Sequence, residues 1–146
     1  MKKIIGFLLF GLLLGGVYGN SAQAQDKNEQ KLVGKHMFSL QWLLDKPKYG
    51  TANITRKNTG GLYIDARHEV NGGYAVLKGD LTVISASEFT VNGEIVTRVS
   101  YINNGNECPR SGTFTFKATG TRKYWRMQEM NNPCDNAVDY VDVYFR

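Results

Sequence analysis

Side chains that carry catalytic or metal chemistry are scarce in this sequence. The 146 residues include only two histidines and two cysteines. His36 and His68 each occupy an ordinary place in a strand-like segment. The sequence contains no G-x-S-x-G, no H-E-x-x-H and no phosphate-binding loop. We therefore expect a binding protein rather than an enzyme, and we assign no catalytic residue, no metal ligand and no cofactor.

Long apolar runs are missing after residue 17, so we expect no membrane-spanning segment in the mature chain. Lys2 and Lys3 precede an uncharged apolar run, residues 4–17, and Ala22-Gln23-Ala24 has the small-x-small pattern of a cleavage site. This arrangement predicts a bacterial signal peptide over residues 1–24, cleaved near Ala24. It predicts a periplasmic or secreted protein, with a flexible lead-in at 25–33 and one domain at 34–146.

Strong positive charge is also missing. The formal net charge is +5, and removing Lys2 and Lys3 lowers it to +3. The stretch GTRKYWRMQ interleaves basic and aromatic residues, a pattern that can bind single-stranded nucleic acid. In an exported chain of mild charge, a strand with a solvated basic face is the simpler interpretation, and we expect no nucleic-acid partner.

The two cysteines predict a disulfide. Cys108 and Cys134 are placed symmetrically about Gly120, which marks a turn between two strand-like runs. An oxidising compartment makes a bridge the expected state of such a pair. Closing this loop contributes roughly 3–4 kcal/mol as an upper figure. The alternatives, a metal site or a reactive thiol pair, lack nearby histidines and C-x-x-C spacing respectively.

Period-two alternation of apolar and polar residues runs through most of the mature chain and predicts an all-β fold. The turns NTGG, NGG, NNG and ATGT separate the runs, since Asn and Gly tolerate positive φ. No sustained helical period is present after the signal peptide. The eight predicted strands lie in KHMFSLQWLL, GTANITRKN, GLYIDARHEV, YAVLKGDLTVIS, EFTVNGEIVTRVSYI, GTFTFKATG, KYWRMQEM and VDYVDVYF.

Short connections between about eight strands predict an antiparallel up-and-down meander. Such a sheet hides its apolar face either by closing into a barrel or by splitting into a two-sheet β-sandwich. Closure removes the exposed edges, and Gly79 and Gly93 stand inside predicted strands, where glycines mark bends. We favour the barrel and keep the sandwich as the alternative.

The strand count, the meander order, the chain length, the predicted export and the aromatic first strand FSLQW resemble the calycins, the lipocalin and streptavidin-like barrels. This fold-level resemblance is also compatible with a separate, uncharacterised bacterial family. It implies a barrel and a bound ligand. It transfers no functional residue to this chain.

Candidate ligand residues follow from placing Cys108 directly opposite Cys134. In that register Phe116 faces Arg126, and Phe114 faces Gln128, so an arginine points into the barrel. A buried arginine needs a carboxylate, carbonyl groups, water or an anionic ligand, and Asp142 is the first carboxylate to test. A slip of one residue would instead turn Trp125 inward and Arg126 outward. The predicted ligand-binding residues are Trp42, Phe114, Phe116, Tyr124, Arg126 and Gln128.

Two functions remain open. One is the binding of an apolar or amphipathic ligand, with an anionic head, in the barrel interior. The other is a protein-interaction or inhibitor module with a filled barrel and no ligand.

Asp135, Asp139 and Asp142 are close in sequence, but their spacing matches no calcium loop and is typical of a solvent face.

Overall fold

The eight predicted strands are confirmed, and they close into an antiparallel up-and-down barrel. The computed structural model describes residues 19–44 and 48–146, so most of the predicted signal peptide lies outside the described residues. β8 pairs with β1 through Val143 and Phe38, which closes the sheet and excludes the sandwich. Strands β1 to β8 span Gly34–Leu40, Gly50–Arg56, Leu62–Val70, Gly73–Ser85, Glu88–Arg98, Cys108–Lys117, Tyr124–Met127 and Val141–Tyr144.

The predicted alternation fills the barrel with side chains. In β3 every second residue from Leu62 to Val70 is buried, while Asp65, Arg67 and Glu69 between them are exposed. Each fully buried large apolar side chain stabilises the fold by about 1.5–3 kcal/mol. The largest fully buried aromatic and long apolar side chains include Phe38, Phe89, Phe116, Leu40, Leu77 and Met127.

Three glycines form one row across the sheet. Gly79 of β4 lies opposite Gly93 of β5, which lies opposite Gly112 of β6. A Cβ on Gly93 would lie 2.0 Å from the Lys78 carbonyl oxygen, so only glycine allows the backbones to come this close. The two glycines predicted to mark a bend therefore lie side by side, at a close approach of the backbones.

A helix, α1, covers Gly19–Leu32 and precedes β1. It includes the end of the predicted signal peptide and most of residues 25–33, for which a flexible lead-in was predicted. The Ala-, Gln- and Lys-rich sequence suits a helix. Its C-terminal end is attached to the barrel, because Leu32 is buried and Glu29 pairs with Arg56 at 2.6 Å.

The barrel has two different ends. At the helix end lie α1, the β4–β5 turn, the β6–β7 loop and the C-terminal residues that follow β8. At the disulfide end lie a short 3-10 helix, Gln41–Leu43, and the loops β3–β4, β5–β6 and β7–β8. The Cys108–Cys134 disulfide joins the start of β6 to the β7–β8 loop.

Candidate functional site

The six residues predicted as one ligand site do not come together. Phe114 and Phe116 are buried in the filled core. Trp42 is half-buried at the disulfide end of the barrel. Tyr124 and Arg126 are half-buried, and Gln128 is exposed.

Of the two registers considered for β6 and β7, the one that places Cys108 opposite Cys134 is wrong, and the one shifted by a single residue is confirmed. Phe116 lies opposite Met127, and Lys117 lies opposite Arg126. Trp125 and Met127 are therefore the buried residues of β7, and Arg126 is on the outer face. The symmetric placement of the cysteines predicted the wrong register because Cys134 lies beyond the end of β7. It belongs to a loop that does not continue the pairing of β7 with β6.

Arg126 pairs with Asp142, the carboxylate that the sequence suggested. Both side chains lie on the outer face of the sheet, whereas the prediction placed them inside the barrel. Its Nε and Nη2 donate to the two oxygens of Asp142, each at 2.8 Å. The guanidinium lies 4.1 Å from the Tyr140 ring centroid and 5.1 Å from that of Tyr124. The hydrogen bonds to Asp142 raise the pKa of Arg126. We call this surface the tyrosine–arginine face; it comprises Tyr49, Tyr124, Arg126, Tyr140 and Tyr144.

The arginine that does point inward is Arg110. It lies opposite Ile95, a fully buried residue of β5, and only 9% of its side chain is exposed. Sequence reasoning missed it because the predicted β6 began at Gly112. Extending that strand to Cys108 gives Arg110 the same parity as Phe114 and Phe116, and this parity is the signal that could have found it.

Arg110 belongs to a buried polar network at the disulfide end. Its Nη2 donates to Asp139 Oδ2 at 3.0 Å, and its Nη1 donates to the carbonyls of Glu129 and Asn131. Asp139 Oδ1 accepts the indole N–H of Trp42 at 3.1 Å. Burial raises the pKa of Asp139, and the Arg110 charge opposes that change.

The sequence predicts that Asp135, Asp139 and Asp142 face solvent, and this prediction is wrong for Asp139 and Asp142. Asp139 is 1% exposed and Asp142 is 4% exposed, and each pairs with an arginine. Asp135 instead accepts the backbone N–H of Asn103 at 2.8 Å. Within residues 19–44 and 48–146, no group of three or more His, Cys, Asp or Glu side chains is arranged to hold a metal ion.

The predicted disulfide is confirmed, with Cys108 and Cys134 bonded. It holds the loop that supplies Asp139 to the network. Asn132 lies between the two features: its Oδ1 accepts the Cys134 N–H at 2.9 Å, and its Nδ2 donates to Asp139 Oδ2 at 3.1 Å. The bond indicates a chain that folds in an oxidising compartment outside the cytoplasm.

A cavity of about 410 Å³ opens beside Trp42, and we call it the disulfide-end cavity. Tyr101 stands at its rim, 66% exposed, and its hydroxyl donates to the Trp42 carbonyl at 2.9 Å. The two rings meet edge to face at 6.4 Å. The other lining residues are Leu43, Leu44, Val70, Asn71, Gly73, Val99 and Ser100.

Both histidines have structural partners. His68 is 1% exposed, accepts the Leu40 N–H at Nδ1 and has Nε2 2.9 Å from the Lys48 carbonyl. His36 places its ring nitrogens 2.7 Å from the Leu32 carbonyl and 2.8 Å from the Tyr144 carbonyl. His36 therefore joins the end of α1 to the end of β8.

None of the helices in the described part of the chain is long and apolar enough to cross a membrane.

Comparison with known proteins identifies a family. The PM1083 family matches residues 20–145. The chain is 44% identical over 146 residues to a protein named "Uncharacterized protein PM1083" from Pasteurella multocida (strain Pm70), with 94% of each chain covered. No solved structure matches the chain, so the calycin resemblance stays a prediction from the sequence. The chain belongs to the PM1083 family.

Proposed function

We propose that this protein is an exported binding protein that takes an apolar or aromatic group of its ligand into the disulfide-end cavity. Its volume of about 410 Å³ falls within the range of small-molecule sites, about 300–1,000 Å³. Its wall combines Trp42, Tyr101 and aliphatic side chains with the polar residues Asn71 and Ser100. More of the exposed lining is polar than apolar, so it suits a ligand that places an apolar or aromatic group on Trp42 and Tyr101 and forms hydrogen bonds with the rest of the wall.

The observation that carries this proposal is the buried ion pair behind the cavity wall. A salt bridge as buried as Arg110–Asp139 contributes little or nothing to stability compared with apolar packing. Here the same carboxylate holds the Trp42 indole at 3.1 Å. The network therefore fixes the orientation of an aromatic wall, which lowers the entropy lost when a ligand binds.

Because apolar side chains fill the barrel interior, we place the proposed ligand at the disulfide end of the barrel instead. Of the side chains that the sequence predicts for an interior pocket, Phe114 and Phe116 pack in the core, and Arg126 lies on the outer face. Trp42 is the member of the predicted set that lines the cavity. It is one of only two tryptophans in the chain, which makes it a specific reporter.

The test is fluorescence titration of the exported Trp125→Phe protein, in which Trp42 is the single tryptophan. We expect the neutral apolar probe N-phenyl-1-naphthylamine to bind saturably and to quench Trp42 by energy transfer. Tyr101→Ala and Leu44→Ser should each weaken binding about tenfold, because each removes apolar wall area from a side chain that is already partly exposed.

The matched control is Met37→Ser, which removes an exposed apolar side chain, 47% exposed, from the outer face of β1. It should leave the titration unchanged. A titration that does not saturate, or an equal loss in all three variants, would contradict ligand binding at the disulfide-end cavity.

A second candidate function, a protein-interaction module, is favoured by the tyrosine–arginine face. Tyrosine and arginine are enriched in the energetically dominant centres of protein interfaces. Tyr140 is 38% exposed and stacks on the rigidly paired Arg126. A purified periplasmic partner should bind the unaltered protein at least tenfold more tightly than Tyr140→Ala. Ile84→Ala, which alters another exposed apolar side chain, should bind normally.

A further inference from the structure

A second cavity lies at the opposite end of the barrel, beside the end of α1. Its volume is about 480 Å³, and we call it the helix-end cavity. All of its lining residues follow Ala24, so predicted signal-peptide cleavage leaves them in the chain. They are Lys31, Ala86, Trp125, Phe145 and Arg146.

One wall of this cavity is aromatic and firmly held. The rings of Trp125 and Phe145 lie 4.2 Å apart between centroids. Trp125 also meets the Phe89 ring at 5.6 Å and the His36 ring at 6.0 Å, both edge to face. Because these neighbours fix the indole, the wall is formed before any ligand arrives.

The other side of the cavity is cationic. Arg146 Nη2 donates to the carbonyls of Lys31 and Gln30, at 2.9 and 3.3 Å, which holds the guanidinium at the C-terminal end of α1. Gly34 makes room for it, because a Cβ there would lie 2.7 Å from Arg146 Nη1. Among the described residues, neither Lys31 nor Arg146 takes part in an ion pair.

We propose that the helix-end cavity binds a single-chain amphiphile with an anionic head group. The apolar chain lies against Trp125 and Phe145, and a carboxylate or phosphate head lies between Lys31 and Arg146. A guanidinium has five N–H donors, so bonds from one nitrogen to two carbonyls leave others for the head group. This site is independent of the ligand proposed for the disulfide-end cavity.

The shape of the site favours a free amphiphile over a lipid held in a bilayer. Insertion into a membrane needs apolar side chains that project outward. Trp125 is only 6% exposed and forms the inside of a recess. A chain must therefore leave its surroundings and enter the cavity, which a monomeric amphiphile in solution can do.

The experiment uses the exported Trp42→Phe protein, whose single tryptophan is then Trp125, and dodecanoate below its micellar concentration. We expect a saturable change in Trp125 emission. Dodecyltrimethylammonium has the same chain with a cationic head and should bind at least tenfold more weakly, as should the uncharged dodecyl maltoside. Calorimetry on the unaltered protein should give the same order, which removes any effect of the Trp42 substitution.

Charge-neutralising variants test the head-group site. Lys31→Gln and Arg146→Gln should each weaken dodecanoate binding about tenfold, since each removes a charge-assisted contact. Lys31 is exposed, so this variant should fold normally. Lys123→Gln, which removes one exposed positive charge from the neighbouring β6–β7 loop, is the matched control and should bind normally.

Three results would overturn the proposal. The first is no saturable response of Trp125 to dodecanoate. The second is equal weakening in Lys31→Gln and Lys123→Gln, which would indicate a general effect of net charge. The third is binding to phosphatidylglycerol vesicles, but not to monomeric dodecanoate, which would indicate membrane attachment. None of these results depends on whether the disulfide-end cavity binds its own ligand.

Discussion

Arg110 and Asp139 form an ion pair inside one end of the barrel, with Nη2 and Oδ2 3.0 Å apart. Their side chains are 9% and 1% exposed, so water screens neither charge effectively. Arg110 Nε is also buried and has no hydrogen-bond partner among the described residues. An arginine keeps its charge at ordinary pH, so the cost of burying the Arg110 charge is offset only while Asp139 is ionised beside it.

Asp139→Asn should therefore destabilise the protein strongly. The substitution keeps the size of the side chain but leaves the Arg110 charge buried without a counter-ion, which costs about 3–5 kcal/mol. The free energy of unfolding in urea at pH 7 measures this loss. Asp65→Asn is the control: Asp65 pairs with Lys78 at 3.5 Å with both side chains more than half exposed, so we expect almost no change. Equal effects of the two variants would contradict the burial of the Arg110–Asp139 pair.

Removing the disulfide should loosen the β7–β8 loop before the rest of the barrel. In Cys108→Ser/Cys134→Ser the unfolded chain regains the entropy of a loop closed over 26 residues, about 3–4 kcal/mol as an upper figure. Hydrogen exchange should rise first at residues 128–140, because the bridge ties this loop to the start of β6, whereas the strands are held by their backbone pairing. Mass spectrometry of the unreduced, exported protein should find no free thiol. Two free thiols in that material would contradict the predicted bridge.

The fold was predictable because its signal is repeated along the chain. A period-two pattern recurs in each strand, as from Leu62 to Val70, and Asn/Gly turns separate the strands, so no single error changes the class. The register of β6 and β7 depended on one inference. It assumed that Cys134 lies on a strand, but β7 ends at Met127. Loop conformation depends on contacts distant in sequence, and the pattern of the strand carries no information about them.

The candidate sites were also less predictable, because their residues come from segments that are far apart in sequence. Asp139 is buried because Arg110 and Trp42, which lie 29 and 97 residues away in sequence, meet it. Val138 and Tyr140 flank Asp139, and nothing in this local sequence shows that an arginine of β6 and the indole of Trp42 cover its carboxylate. The helix-end cavity likewise depends on Lys31 and Arg146, which come together only when α1 lies beside the end of β8.

The corrected register can be tested at Arg126. Arg126→Ala should destabilise the protein by about 2–3 kcal/mol, because it leaves Asp142, 4% exposed, without its two hydrogen bonds. It should not alter binding at either proposed cavity, since Arg126 lines neither. Met127→Ala should cost about 2–5 kcal/mol because it opens a hole in the core. A Met127→Ala variant as stable as the unaltered protein would favour the register in which Met127 faces outward.

Stability should fall as the pH is lowered below neutrality, and His68 should account for part of the loss. Burial lowers the pKa of His68 from its ordinary value of 6.5, and the hydrogen bond to the Lys48 carbonyl only partly opposes this. The neutral ring is required because Nδ1 accepts the Leu40 N–H. The unfolded chain then binds a proton near pH 6.5 that the folded chain does not bind. Stability is therefore complete above that pH and is lost as the pH falls toward the lower folded-state pKa.

Urea unfolding between about pH 8 and 5.5 measures this dependence. The range stays above the ordinary pKa values of carboxylates, and Asp139, whose pKa is raised by burial, is present in every protein compared. In His68→Gln an amide can accept from Leu40 and donate to Lys48, but it cannot titrate, so the decline with falling pH should be shallower. The chain has two histidines, and His36→Gln gives the contribution of the other one. If His68→Gln loses stability with falling pH as steeply as the unaltered protein, the buried His68 ring is not the group that responds to pH.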